Sequence, residues 1–203
     1  MKKFNQGILL SSLGSFWWGV LGVIYFRSLS FVGPFELVIH RCLWTTVFLL
    51  ITTFFLYKWQ KFMQILKSSK KIFILFLSSF LILINWSVWI YAVSTNQIIN
   101  ASFGYFIMPI MSVFFGYVFF RERLNFKIVL SITLVIFSIF YMLYEFRSIP
   151  WIGLTVAVSW SMYNVCRKFI KVDTDIGLLL ESVFIFPFAL LALIYLFTLE
   201  INY

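Results

Sequence analysis

The chain has 203 residues, of which 63% are apolar, 22% aromatic and only 11% charged, with a formal net charge of +9 and a mean hydropathy of +1.00. A water-soluble domain is nearer half apolar and a quarter charged, so water is excluded as the main solvent. The positive balance does not point to nucleic acid, because the sixteen Lys and Arg are confined to short segments between long apolar runs.

A bilayer core about 30 Å thick takes ~20 helical residues to cross. Seven stretches meet that length in chain order: residues 7–26, 35–57, 72–93, 98–120, 126–144, 149–165 and 177–197. They are continuously apolar rather than alternating, which excludes a barrel and leaves helices as the only spanning structure. The expected fold is an all-α integral membrane bundle of seven transmembrane helices. Met1-Lys2-Lys3 before the first stretch resembles a signal peptide, but that run is too long for the apolar part of one and reads as an uncleaved span.

Charge sets the orientation. With the amino terminus cytoplasmic, thirteen Lys and Arg fall in inside segments and only Arg27 and Arg147 outside, with Arg41 left within a span. Cys42 and Cys166 then lie near opposite membrane faces, and no disulfide is expected. The inside segment from Lys58 to Lys71 carries Trp59, Phe62, Met63 and Leu66 at helical spacing, which predicts an amphipathic helix lying flat at the inner interface. A regulatory or partner-binding helix is the alternative.

The first and sixth stretches share a pattern. Gly14-Ser15-Phe16-Trp17-Trp18 precedes Glu36, and Ala157-Val158-Ser159-Trp160-Ser161 precedes Glu181. Five spans separate the two starts, and an odd number turns the second copy over in the bilayer. The expected organisation is one complete five-helix repeat over 1–145 and the first two helices of an inverted second repeat over 146–203, an architecture of many secondary transporters.

Ionisable residues within spans are functional candidates by default. Glu36 and His40 share one helical face, while Arg41 sits about 9 Å into its span and is turned away from His40. Two readings stand: a pocket in which Arg41 and protonated His40 meet an anionic or polar solute with Glu36 as counter-ion or proton carrier, or an internal salt bridge. Glu181 is the inverted counterpart of Glu36, so the two acids would flank a central cavity; alternatively Glu181 pairs with Lys168 or Lys171. Asn85 and Trp86 offer an amide and an aromatic wall to the same cavity. Ala101-Ser102-Phe103-Gly104 is a small-residue contact for a neighbouring helix, Pro109 predicts a kink, and Glu122 between Arg121 and Arg123 is expected to pair with one of them or with a nearby loop. With one His, no metal-ligand spacing and no nucleophile motif, the sequence supports no enzyme, no metal and no cofactor.

Taken in order, Pro34-Phe35-Glu36-Leu37-Val38-Ile39-His40-Arg41, Asn85-Trp86 with Tyr91-Ala92-Val93, Ala101-Ser102-Phe103-Gly104-Tyr105-Phe106 before Pro109, Arg121-Glu122-Arg123-Leu124, and Glu181 with Pro187 resemble the RarD group of EamA-type transporters in the drug/metabolite transporter superfamily. The resemblance implies a ten-span permease of two inverted five-span repeats, working by alternating access in a bacterial inner membrane, with a name tied to chloramphenicol sensitivity. It carries the family's histidine-arginine pair onto His40 and Arg41, its asparagine-tryptophan onto Asn85 and Trp86, and the glutamate of the second repeat onto Glu181; together with Glu36 and Tyr105 these are the candidates for substrate binding or coupling. Met108 stands where the family usually has an asparagine, and the chain stops after its seventh helix, so a truncated form is expected. The implied partners are a small-molecule solute and membrane lipid, not nucleic acid, and a homo-oligomer is compatible. The rival reading is a non-transporting membrane scaffold or inactive fragment.

Overall fold

The computed structural model describes residues 2–123, 125–146 and 150–201, with side chains over 6–123, 125–141, 144 and 150–198. Arg147, the start of the sixth stretch at Ile149, Leu124 of the Arg-Glu-Arg-Leu motif, and the side chains of Lys2, Lys3 and Glu200 lie outside the described residues.

The described chain is helical from end to end. A first long rod comprises α1 (Lys2–Phe16), a π-helical stretch at Trp17–Gly22 and α2 (Val23–Ser28). A 3-10 turn at Ser30–Val32 and Gly33, at φ +87°, reverse the chain, and Pro34 opens α3 (Pro34–Phe55) where its missing N–H has no partner to lose. Then follow α4 (Trp59–Leu66), α5 (Ser69–Ser94), α6 (Ile98–Phe120), α7 (Phe126–Phe146), α8 (Trp151–Ile170) and α9 (Thr174–Ile201).

Among the described residues, five helical segments are long and apolar enough to cross a bilayer: Gln6–Ser28, Pro34–Phe55, Ser69–Ser94, Ile98–Phe120 and Thr174–Thr198, with a shorter apolar run at Phe126–Tyr141. The sixth expected span falls on α8, a 20-residue helix too rich in polar and charged groups, from Ser159 to Lys168, to join them on composition. Outward faces are apolar: on α3, Trp44, Phe48, Phe54 and Phe55 are exposed. That surface suits hydrocarbon, not water.

Packing centres on α8, which lies against both α5 and α6, and on α3, which lies against α9. Glycine makes the α6–α8 crossing close. A Cβ on Gly104 would come within 2.6 Å of the Gly153 carbonyl oxygen, and one on Gly153 within 2.8 Å of the Asn100 oxygen. The small residues of α6 are thus a helix contact, as their spacing suggested. Pro109 lies inside α6, which continues through it as one helix. α7 lies on the outside of α6, touching it through Ile139.

The stripe expected on the 58–71 segment is only partly used. α4 buries Phe62 and Ile65 against Leu75, Ile176, Leu179 and Leu180, while Trp59, Met63 and Leu66 stay exposed. Lys58 pairs with Asp175, and Lys61 with Asp173 at 2.7 Å, so α4 is stapled over the α8–α9 connection. Both cysteines are unpaired thiols.

Candidate functional site

A cavity of about 690 Å³ opens between the first rod, α3, α5, α6, α8 and the start of α9. Each wall is a stripe at helical spacing: Ser11, Ser15 and Trp18 on the first rod; Ile82, Asn85 and Trp86 on α5; Tyr105 and Met108 on α6; Val156, Trp160, Tyr163, Asn164 and Arg167 on α8. It therefore runs from the middle of the bundle to the α8–α9 connection, where Thr174 and Leu178 line it.

Arg41 of α3 projects into this space between aromatic faces. Its guanidinium carbon lies 4.3 Å from the centre of the Trp86 ring, 4.8 Å from that of Trp18 and 5.6 Å from that of Phe26. Trp18 is held in turn, stacked on Trp89 at 4.8 Å, with its indole N–H donating to the Tyr105 hydroxyl at 3.4 Å. Ring quadrupoles, and no carboxylate of the described residues, face the Arg41 guanidinium, so the internal salt bridge offered as one reading is not formed at Arg41. Asn85 is buried and donates to the Val156 carbonyl at 3.0 Å and the Ser159 hydroxyl at 3.2 Å. It is at once a cavity wall and a tie between α5 and α8.

Behind the Tyr163 and Arg167 wall lies Glu181, with no exposed surface at all. Tyr163 donates its hydroxyl to Oε2 at 3.1 Å, Ser78 donates to Oε1, and Arg167 Nη1 stands 3.5 Å from Oε1. The alternative of a pairing with Lys168 or Lys171 is thereby overturned: position 167 faces inward, with its side chain 11% exposed, whereas Lys168 faces out and pairs with Glu122. Arg167 also donates through Nη2 to the Asp173 and Thr174 carbonyls at 3.3 Å, closing the α8–α9 turn.

Glu36 and His40 are not part of this site. They face away from it, half-exposed, with His40 Nε2 at 3.6 Å from Glu36 Oε1. Of the seven sequence candidates, Arg41, Asn85, Trp86 and Tyr105 line one cavity, Glu181 stands one layer behind it, and Glu36 and His40 lie apart. Trp18, Tyr163 and Arg167 were not singled out as site residues. Arg167 had been counted with the loop charges, yet Trp160, Tyr163, Asn164 and Arg167 form a polar stripe on a helix of otherwise ordinary spacing.

A second hollow of about 500 Å³ between α3, α5 and α9 is walled by Val38, Leu83, Ile185, Phe188 and other apolar groups. It offers almost nothing to orient a polar solute. Among the described residues no cluster of side chains could hold a metal ion.

The profile of the EamA-like transporter family matches residues 5–144. The chain belongs to the EamA-like transporter family. Within it the chain is of the RarD type. It is 34% identical over 198 residues to protein RarD of Salmonella typhi, covering 98% of this chain and 66% of that protein. Protein RarD of Escherichia coli (strain K12) is 33% identical over 198 residues, with the same coverage. The uncharacterized transporter YojE of Bacillus subtilis (strain 168) is 34% identical over 189 residues, 92% of this chain and 63% of that protein. The chain thus spans about two thirds of the length of the curated relatives it matches. No solved structure matches it. Its apolar helices and its family make this EamA chain a multi-pass membrane protein.

Proposed function

We propose that the chain acts as a permease for small organic solutes, alternating access to the cavity between the two sides of a bacterial inner membrane. The observation that carries this reading is the cavity itself. A space of about 690 Å³ inside a lipid-facing bundle, walled by five aromatic rings, two arginines and two amides, is far more polar than helix packing requires. In this reading seven helices span, with the amino terminus cytoplasmic. The packing of α3 on α9 supports an inverted second repeat over 146–203, since these helices would be equivalents meeting across its pseudo-two-fold axis. The family match over 5–144 is in keeping with a first repeat over 1–145.

Reconstitution into liposomes with a panel of labelled organic solutes, with and without a proton gradient, tests it. Flux of at least one solute above empty liposomes is expected. Absence of flux for this chain and for its full-length relatives alike would sink the idea.

The rival reading is a non-transporting scaffold or inactive fragment. Cysteines introduced as Arg41→Cys or Asn85→Cys separate the two. Aqueous thiol reagents reach them if the cavity is a solute pathway and fail to reach them in a packed scaffold.

A further inference from the structure

The charge balance of the cavity names a class of solute. Resting on the transporter reading, we propose that the site takes aromatic organic anions, a flat ring bearing one carboxylate, with the carboxylate on Arg41 and the ring against the indole and phenol walls.

Arg41 carries the argument. Trp18 and Trp86 hold its guanidinium across their faces, but rings supply no negative charge and accept nothing in the guanidinium plane. Among the described residues Arg41, which lines the cavity, has no ion pair and no hydrogen bond, so its five N–H donors are left without an acceptor. A cation so placed within a membrane bundle is unfavourable until a counter-ion arrives.

The other charged groups nearby do not supply that counter-ion. Arg167, the second cation on the wall, is already matched by Glu181, which is wholly buried against Ser78 and Tyr163 and does not line the cavity. Glu36 is on another face and within reach of His40. The walls therefore carry one uncompensated positive charge and no acid.

A carboxylate completes this arrangement in a way that a neutral or cationic solute cannot. It bonds in the plane of the guanidinium, through paired N–H donors, and leaves both ring contacts in place. An ammonium would be repelled. An amide would leave the cation unpaired. The ring follows from Tyr105, Trp160 and Tyr163 beside the two indoles, which offer stacking faces. The volume accommodates a one- or two-ring acid together with water.

Three probes with one ring and different charge test the proposal: labelled phenylacetate, phenylacetamide and phenethylammonium, in equilibrium dialysis against the chain in lipid nanodiscs at neutral pH. Phenylacetate is expected to bind at least about tenfold more tightly than either of the others, the value of one charge-assisted pair. Arg41→Gln is expected to bring phenylacetate and phenylacetamide within about twofold of each other, and Arg41→Lys to retain part of the preference. The proposal is overturned if the amide or the amine binds as well as the acid, if no probe binds saturably, if Arg41→Gln leaves the preference intact, or if chloride or phosphate at equal concentration displaces phenylacetate. Failure of the transporter reading is separate: phenylacetate then binds in nanodiscs while proteoliposomes carry no solute.

Discussion

The Arg167 guanidinium fills the space that a side chain at Gly177 would need: a Cβ built there would lie 1.5 Å from Nη1. The glycine at the start of α9 is a notch through which Arg167 reaches the buried Glu181. Gly177→Ala is expected to push the guanidinium out and cost about 1–3 kcal/mol by overpacking. Arg167→Met, which leaves Glu181 buried without its cation, should cost about 3–5 kcal/mol, and adding Glu181→Gln should restore a large part of it. Thermal unfolding in micelles measures all three. Additive losses in the double variant would mean that the pair is not coupled.

At the α6–α8 crossing the neighbours are backbone, which cannot swing aside. Gly104→Ala and Gly153→Ala are each expected to lose about 1–3 kcal/mol in the same assay as the helices are forced apart. Gly7→Ala is the control. Nothing lies within 4 Å of a Cβ there, so no loss is expected.

Asn85 ties α5 to α8 through the Val156 carbonyl and the Ser159 hydroxyl. Asn85→Leu should destabilise by about 0.6–1.7 kcal/mol, the range for side-chain hydrogen bonds between membrane helices. Combined with Ser159→Ala, the loss should be less than the sum. A double-mutant cycle with zero coupling would rule out that tie.

The amphipathic α4 is held by apolar contact more than by charge. Phe62→Ala is expected to cost about 3 kcal/mol and to raise amide exchange over Trp59–Leu66, whereas Lys61→Ala should leave exchange nearly unchanged. The hydrogen bond to Asp173 holds the Lys61 ammonium above the usual lysine range. A lysine so shifted stabilises fully below that range and loses its effect only as pH rises through it. Protection of the α4 amides, relative to their base-catalysed intrinsic exchange, should therefore be flat from about pH 6 to 9, with any sodium chloride dependence small.

Much of this was legible in the sequence, for physical reasons that also mark where it stopped. Long apolar runs dictate helices in lipid, so helix placement followed from composition and length alone. Glu36, His40 and Arg41 are neighbours in sequence but not around a helix: Arg41 is turned by about 100° from His40, as its position predicts, and this places it on the cavity side. The Glu181 pairing was hidden for a different reason. Its partner comes from another helix across a turn, and Arg167 read as one more loop cation until its inward orientation was known. The α8 helix was read as a span over 149–165, yet it falls outside the five most apolar segments because the same polar stripe that lowers its hydropathy builds the cavity wall.

The π-helical stretch at Trp17–Gly22 has a further effect on Arg41. In regular α-helix the residue two turns beyond Trp18 is the seventh, Tyr25, and the extra residue of a π turn moves that place to Phe26. The burial agrees: Tyr25 is 59% exposed and Phe26 only 7%. The first rod thus carries a one-residue phase correction that sets a plain benzene ring, and not a phenol, beside the guanidinium. Straightening the stretch to regular α-helix with no residue removed would slide the tyrosine hydroxyl into that position and give Arg41 an internal acceptor, with the cavity's free charge partly quenched before any solute arrives.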